Sequence, residues 1–273
     1  MTEAVDIAVQ CDGVIQIYEG ATGPTMALRG VDLAVDRGTL VALRGPSGSG
    51  KSTLLRLLAG AELPTAGAIH VMGISPATMD GRERSRFLRH RIAYIFQHAP
   101  DNVIAELTVA ENIAVAARVR GVSRRLANEA VDAIPLLAAA RRTPAHRLTL
   151  GRQQCLSFVM ATVGRPDLVI ADEPSAQMDG EEANALLAAM RNAADDGITS
   201  MFATHDPLFL AAVDRTVEMR GGRVVAEQYG AGARFVRADN GGWIPLPAGY
   251  DERLPRGTAT VAWEADHFTV RPS

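Results

Sequence analysis

Apolar and polar positions alternate in short blocks at the start of the chain. Residues 4–9, 13–18 and 30–35 read as strands separated by Gly and Pro turns. Residues 40–44 form a compact apolar strand. A glycine-rich loop follows it, and then a helical run over 51–59 that stops at Gly60. An arginine-rich helix is expected at 82–91 and a strand at 92–96. Helical periodicity dominates 108–140. Apolar strands recur at 168–171 and 198–204, with a helix over 181–194 between them. Strand–helix–strand alternation predicts an α/β fold with a mostly parallel sheet. The span 98–165 carries little strand signal and reads as a helical insertion. Beyond Gly221 the pattern changes. Both tryptophans, Trp243 and Trp263, lie here, Asn240-Gly241-Gly242 is a hairpin turn signal, and 258–263 and 267–270 read as strands. We therefore expect a first domain over 1–228 and a small β-rich appendage over 231–273.

Composition narrows the class. Of 273 residues, 47% are hydrophobic and 22% charged, ample for a buried core without metal or disulfide staples. A net charge of −3 gives no global basic field for nucleic acid or an anionic membrane. No apolar run approaches the roughly 18 residues of a membrane helix, and the first residues lack a signal-peptide pattern. Cys11 and Cys155 lie too far apart in sequence to form a zinc knuckle, and a reducing cytoplasm is the expected setting. Among 28 basic residues, Lys51 is the only lysine. An otherwise all-arginine chain that keeps one lysine suggests a need for a compact ammonium on a flexible stem.

Lys51 closes Gly45-Pro46-Ser47-Gly48-Ser49-Gly50-Lys51-Ser52, which fits G-x-x-x-x-G-K-[ST] between a strand and a helix. Glycines let backbone N–H groups turn inward around phosphate oxygens, and the helix N-terminus adds positive potential. Lys51 is expected to reach β/γ-phosphates and the Ser52 hydroxyl to ligate Mg²⁺. The apolar run 168–171 delivers Asp172 and Glu173 at a strand end. That places Asp172 for Mg²⁺ and Glu173 for polarising a water. His205 ends the strand over 198–204, and Gln97 closes the strand over 92–96. Open α/β sheets bind ligands at such carboxyl ends.

This order of elements resembles the nucleotide-binding subunit of ABC transporters over residues from about 5 to 228. GPSGSGKS looks like Walker A, YIFQ like the Q-loop and LTLGRQQ (148–154) like the signature. LVIADEP looks like Walker B, SAQMD like the D-loop and ATHD like the H-loop. The resemblance implies a P-loop ATPase with a RecA-like core, an N-terminal antiparallel β subdomain and a helical subdomain. It implies catalytic roles for Glu173, His205 and Gln97. ATP contacts would come from Tyr18, from 45–53 including Thr53, and from Asp172. Thr149, Gly151 and Gln153 would serve a partner's nucleotide, and Ser52, Gln97 and Asp172 would hold Mg²⁺. It implies a head-to-tail dimer with a second ATP-binding subunit and a membrane permease whose coupling helix meets residues 98–108, on the inner face of the cell membrane. TVAENIAVAARVRGVSRR resembles the subgroup serving macrolide and lipoprotein-release exporters.

The signature departs from the family. Leu150 replaces a glycine, which threatens strain if φ there is positive. Thr149 replaces serine, Arg152 adds a charge, and Cys155 stands at an arginine position as a packed small residue. One strong and one weak site in a heterodimer would follow, whereas a homodimer would have two weak sites and slow turnover. The C-terminal stretch faintly resembles the swapped hairpin of AbrB-like regulators, although its basic content is thin for DNA. An ATP-gated regulatory module is the competing reading. DNA-repair and translation members fit poorly, because the span from Lys51 to Asp172 leaves no room for long insertions and there is one P-loop.

Overall fold

The computed structural model describes residues 6–20, 23–230, 234–236, 259–264 and 267–272. The chain divides into two compact units, Met1–Arg234 and Phe235–Ser273.

The first unit begins with two long strands, β1 (Ile7–Gly20) and β2 (Gly23–Asp36), rather than several short ones. The expected break near Gly13 is a bulge inside β1. The register slips between Cys11 and Val14, and Gly13 takes φ 56°. Gly30 plays the same part in β2, at φ 78°. Glycine bulges resemble turns in sequence, yet they bend a strand without ending it. The strands β3 (Leu40–Arg44) and β4 (Ala66–Val71) flank α1 (Lys51–Leu58). The strand β4 has no clear apolar alternation and was not expected. It pairs antiparallel with β1, giving a three-stranded sheet in the order β2-β1-β4.

Next come α2 (Gly81–Arg91), closed by an Asp80–Glu83 capping box, and β5 (Ile92–Ile95), which ends one residue before its expected limit. The helical span holds α3 (Val109–Val119), α4 (Arg124–Asp132), α5 (Pro135–Ala139) and α6 (Leu150–Thr162). The chain returns through β6 (Leu168–Asp172), α7 (Gly180–Asp195), β7 (Thr199–Ala203), α8 (Pro207–Ala212), β8 (Arg215–Arg220) and β9 (Arg223–Tyr229). Within this unit the second sheet runs β9-β8-β3-β7-β6-β5, parallel except for β9.

Each central strand is apolar on both faces because both faces are covered. Leu40, Ala42, Val169, Ala171 and Phe202 pack with α3 to α7. Val41, Leu43, Leu168, Ile170 and Met201 pack with α1 and the antiparallel sheet. Arg215 ties the two sheets together: its guanidinium donates to the Ala34 carbonyl in β2 and pairs with buried Glu227 in β9. Such a pair stays in place because a lone buried charge costs several kcal/mol, on the order of 3–5.

A short strand, β10 (Arg234–Val236), lies at the border of the units. In the second unit, β11 (Ala259–Glu264) and β12 (His267–Pro272) form an antiparallel hairpin from Ala259 against Pro272 to Glu264 against His267. The turn signal at 240–242 and Trp243 lie outside the described residues.

Candidate functional site

The strands β3, β7, β6 and β5 are neighbours and parallel, so their carboxyl ends share one edge. A cleft of about 470 Å³ opens there. Among its lining residues are Tyr18, Ser47 to Thr53, Gln97, Asp172, Glu173 and His205. Strand ends that are remote in sequence thus meet as their topology dictates.

The loop from Gly45 to Gly50 is shaped for close backbone approach. Gly50 sits at φ 100° as the cap of α1, and a Cβ there would stand 2.7 Å from Leu28 Cδ2 and 2.8 Å from the Ala27 carbonyl. Neither the conformation nor the space admits another residue. Gly45, at φ 153°, would drive a Cβ into the Met219 carbonyl. Lys51 is 8% exposed, and its Nζ donates to the carbonyls of Gly45 (2.7 Å) and Pro46 (3.1 Å). The only lysine therefore lies folded over the loop, with its charge held inside the curve of the backbone. Together with the Ser52 hydroxyl at the start of α1, this donor set suits the oxygens of a polyphosphate with its Mg²⁺.

Opposite the loop, β6 ends at Asp172, and Glu173 follows in a left-handed conformation, φ 50°. Its N–H donates to the Ala203 carbonyl at 3.0 Å. A non-glycine residue held there stores roughly 1–3 kcal/mol, a cost concentrated at functional sites. His205 Nε2 stands 3.4 Å from Glu173 Oε1. Burial raises the Glu173 carboxyl above the usual carboxylate range, opposed in part by His205. A half-buried acid of this kind is suited to take a proton from water. Thr204, fully buried, accepts from the Asp206 N–H at 3.1 Å and contacts Ser175 Oγ at 3.1 Å, fixing the turn that carries His205. The phenol of Tyr18 donates to Glu62 Oε2 at 2.6 Å while its side chain lines the cleft.

Thr149, Gly151 and Gln153 are not among the residues lining this cleft. They sit at the start of α6, where Thr149 caps the helix by accepting from the Arg152 N–H. Leu150 is the first helical residue and has no positive φ, so the strain expected of it is not present. Gly151 leaves room for Glu182: a Cβ there would meet its carboxylate, so any other residue would push that side chain from its place. Gln153 is buried, its Nε2 donating to the Leu148 carbonyl, and supports the loop from beneath. Cys155 is fully buried; burial pushes its thiol up to about 12, which makes it inert.

Sequence reading missed Glu182. It is 4% exposed and accepts a hydrogen bond from the Thr149 hydroxyl. It also stands 4.0 Å from Arg152 Nε and closes a capping box with Asp179 at the start of α7. The Asp-x-x-Glu spacing at 179–182 was the available signal. One carboxylate thus joins the 148–154 loop to the turn ending at Asp179. Replacing it with Ala removes the cap reciprocation and strands the Thr149 hydroxyl. We expect a loss of about 2–3 kcal/mol and a melting temperature lower by about 5–10 °C. Calorimetric melting checks this, and an unchanged midpoint would show that Glu182 braces nothing.

Comparison with known proteins places this geometry in context. A family described as ABC transporter matches residues 28–176. The chain is 33% identical over 223 residues to the lipoprotein-releasing system ATP-binding protein LolD 1 of Caulobacter vibrioides, covering 80% of this chain and 94% of that one. It is 31% identical over 259 residues to the macrolide export ATP-binding/permease protein MacB of Escherichia coli O6:K15:H31, covering 91% of this chain but 39% of that protein. Among solved structures, the dimeric post-hydrolysis state of the ATP-binding cassette MJ0796 bound to ADP and Pi superposes with a TM-score of 0.73. That pair is 27% identical, and the match covers 82% of this chain and all of that one.

Proposed function

Because the chain belongs to the ABC transporter family, as an ATP-binding subunit that hydrolyses ATP and powers transport, we propose that the cleft at the strand ends is its hydrolytic site. The observation that carries this reading is the meeting of Lys51, Gln97, Asp172, Glu173 and His205 on one edge. Lys51 swings from the Gly45 and Pro46 carbonyls to the β/γ-phosphates, and the N–H groups of 48–52 cradle them. Tyr18 offers a π face to the base. Ser52, Gln97 and Asp172 would hold Mg²⁺, which would supply positive charge beside the phosphate oxygens. Glu173 accepts the proton of the attacking water. His205 sets the Glu173 carboxylate and faces the γ-phosphate side.

Turnover requires closure against a second ATP-binding subunit, each nucleotide lying between one subunit's phosphate loop and the other's 148–154 loop. The subunit sits at the inner face of the membrane against a permease. Among the described residues no helix is long and apolar enough to cross a membrane. The relatives LolD and MacB favour an exporter-type membrane partner.

A specific observation supports the slower alternative, an ATP-gated module acting on a membrane partner. The Thr149 hydroxyl is committed to Glu182, and Leu150 adds a side chain beside it. In a homodimer both sites would then turn over slowly. In a heterodimer this chain's own site stays strong and the partner's weakens. Leu150→Gly is expected to raise steady-state ATPase of the reconstituted homodimer by about tenfold, one step of roughly 1.4 kcal/mol in barrier. An unchanged rate would remove Leu150 as the cause and leave the strong-site reading for both subunits.

A further inference from the structure

Tyr18, near the end of β1, lines the cleft, and its phenol donates to Glu62 Oε2 at 2.6 Å. The other oxygen of that carboxylate pairs with Arg56 Nη2. Arg56 lies on α1, a turn beyond Ser52. The three side chains therefore run from the ring to the same helix whose first residues line the phosphate end of the cleft. The Arg56 side chain is 52% exposed, so the ion pair adds little to the stability of the fold. Its effect is on geometry: it holds the carboxylate in one orientation under the phenol.

The loop that carries Glu62 is anchored at both ends. Gly60, at φ 70°, turns the chain out of α1, and Arg84 of α2 donates to its carbonyl at 2.7 Å. At the other end the Thr65 N–H reaches the Ile15 carbonyl and Gln16 Oε1, both at 3.0 Å, and the Ile17 N–H donates to Thr65 Oγ1 at 3.1 Å. Gln16 is buried, which shields these bonds from water. They splice the loop onto β1 just ahead of Tyr18. Glu62 thus presents an acceptor whose place is set by the fold. Burial, and after it the Glu62 carboxylate, raise the phenol above its ordinary value, so it stays protonated and donating.

We propose that Glu62 is a positioning residue for the nucleotide base: it fixes the Tyr18 ring as the stacking face and, through Arg56, registers that face against the phosphate loop. A tyrosine has two rotatable side-chain bonds, and a ring already fixed loses less freedom when a base settles on it. Glu62 is not among the residues lining the cleft, so it acts through Tyr18. The proposal rests on the reading of the cleft as the ATP site with Tyr18 beneath the base.

The test titrates Mg·ATP and Mg·tripolyphosphate, which has no base, into the full chain and reads KM and kcat on the same samples. Glu62→Ala and Tyr18→Phe should each weaken Mg·ATP binding about three- to tenfold, the worth of one hydrogen bond. KM should rise to match while kcat stays within about twofold. The double variant should be no weaker than either single one, because both remove the same bond. Mg·tripolyphosphate should bind all of them as it binds the unaltered chain. Tyr18→Phe keeps the ring and the fold, so its result stands even where Glu62→Ala folds poorly. Tyr18→Ala should weaken Mg·ATP further. If it does, yet Tyr18→Phe and Glu62→Ala bind Mg·ATP normally, the positioning role is overturned and the reading of the base site stands. If Tyr18→Ala leaves Mg·ATP affinity unchanged, the base does not rest on Tyr18, and that reading falls with the proposal. Additive losses in the double variant, or equal losses for Mg·tripolyphosphate, would also overturn it, since Glu62 would then act on the nucleotide or on α1 independently of the ring.

Discussion

Glu173→Gln should lower steady-state ATP turnover by about 10²–10⁴-fold while leaving ATP affinity nearly unchanged, the range expected when a positioned general base is removed. The amide keeps the shape of the side chain and its place near His205 Nε2, which stands 3.4 Å from Oε1. It loses only the capacity to take a proton. The pH profile carries the same information with a defined sign. Burial raises the Glu173 carboxyl, so it holds its proton to a higher pH than an ordinary carboxylate. The base works when ionised. Turnover should therefore rise with pH through that raised value and level off above it, with the acid limb lying above the usual carboxylate range. In Glu173→Gln the residual activity should show no such limb. A variant that keeps the limb would assign it to another group.

Lys51→Ala should weaken Mg·ATP binding at least 100-fold, about 2.7 kcal/mol, as two charge-assisted hydrogen bonds to phosphate are lost. The fold should survive, because Lys51 bonds only to the carbonyls of Gly45 and Pro46 and contributes no core contact beyond its stem. Arginine is a poor substitute here. Its planar fork is larger than the ammonium and cannot fold back under the same two carbonyls.

How much of this was legible beforehand depends on distance along the chain. The phosphate loop is contiguous, so eight adjacent residues display both its chemistry and its flanking strand and helix. The central strands were legible because burial on both faces leaves runs such as Leu168 to Ala171 uniformly apolar. Gln97, Asp172, Glu173 and His205 were legible as strand ends, and the strand order β3-β7-β6-β5 brings those ends to one edge. The failures have equally physical causes. Gly13 and Gly30 look like turns, but each is a bulge that its neighbours' pairing carries through. The strand β4 opens with Ala66-Gly67-Ala68, which carries no apolar alternation, and shows its identity through its pairing with β1. Leu150 looked strained from its motif position alone, whereas the helix it opens gives it an ordinary backbone. Glu182 owes its importance to burial against a segment far away in sequence. No local pattern records that Thr149 bonds to it.

The most direct measurement is a calorimetric titration of Mg·ATP into the unaltered chain, Glu173→Gln and Lys51→Ala, with turnover read on the same samples. The account predicts equal affinity for the first two, turnover about 10²–10⁴-fold lower in the second, and at least 100-fold weaker binding in the third. Undiminished affinity in Lys51→Ala, or undiminished turnover in Glu173→Gln, would contradict it.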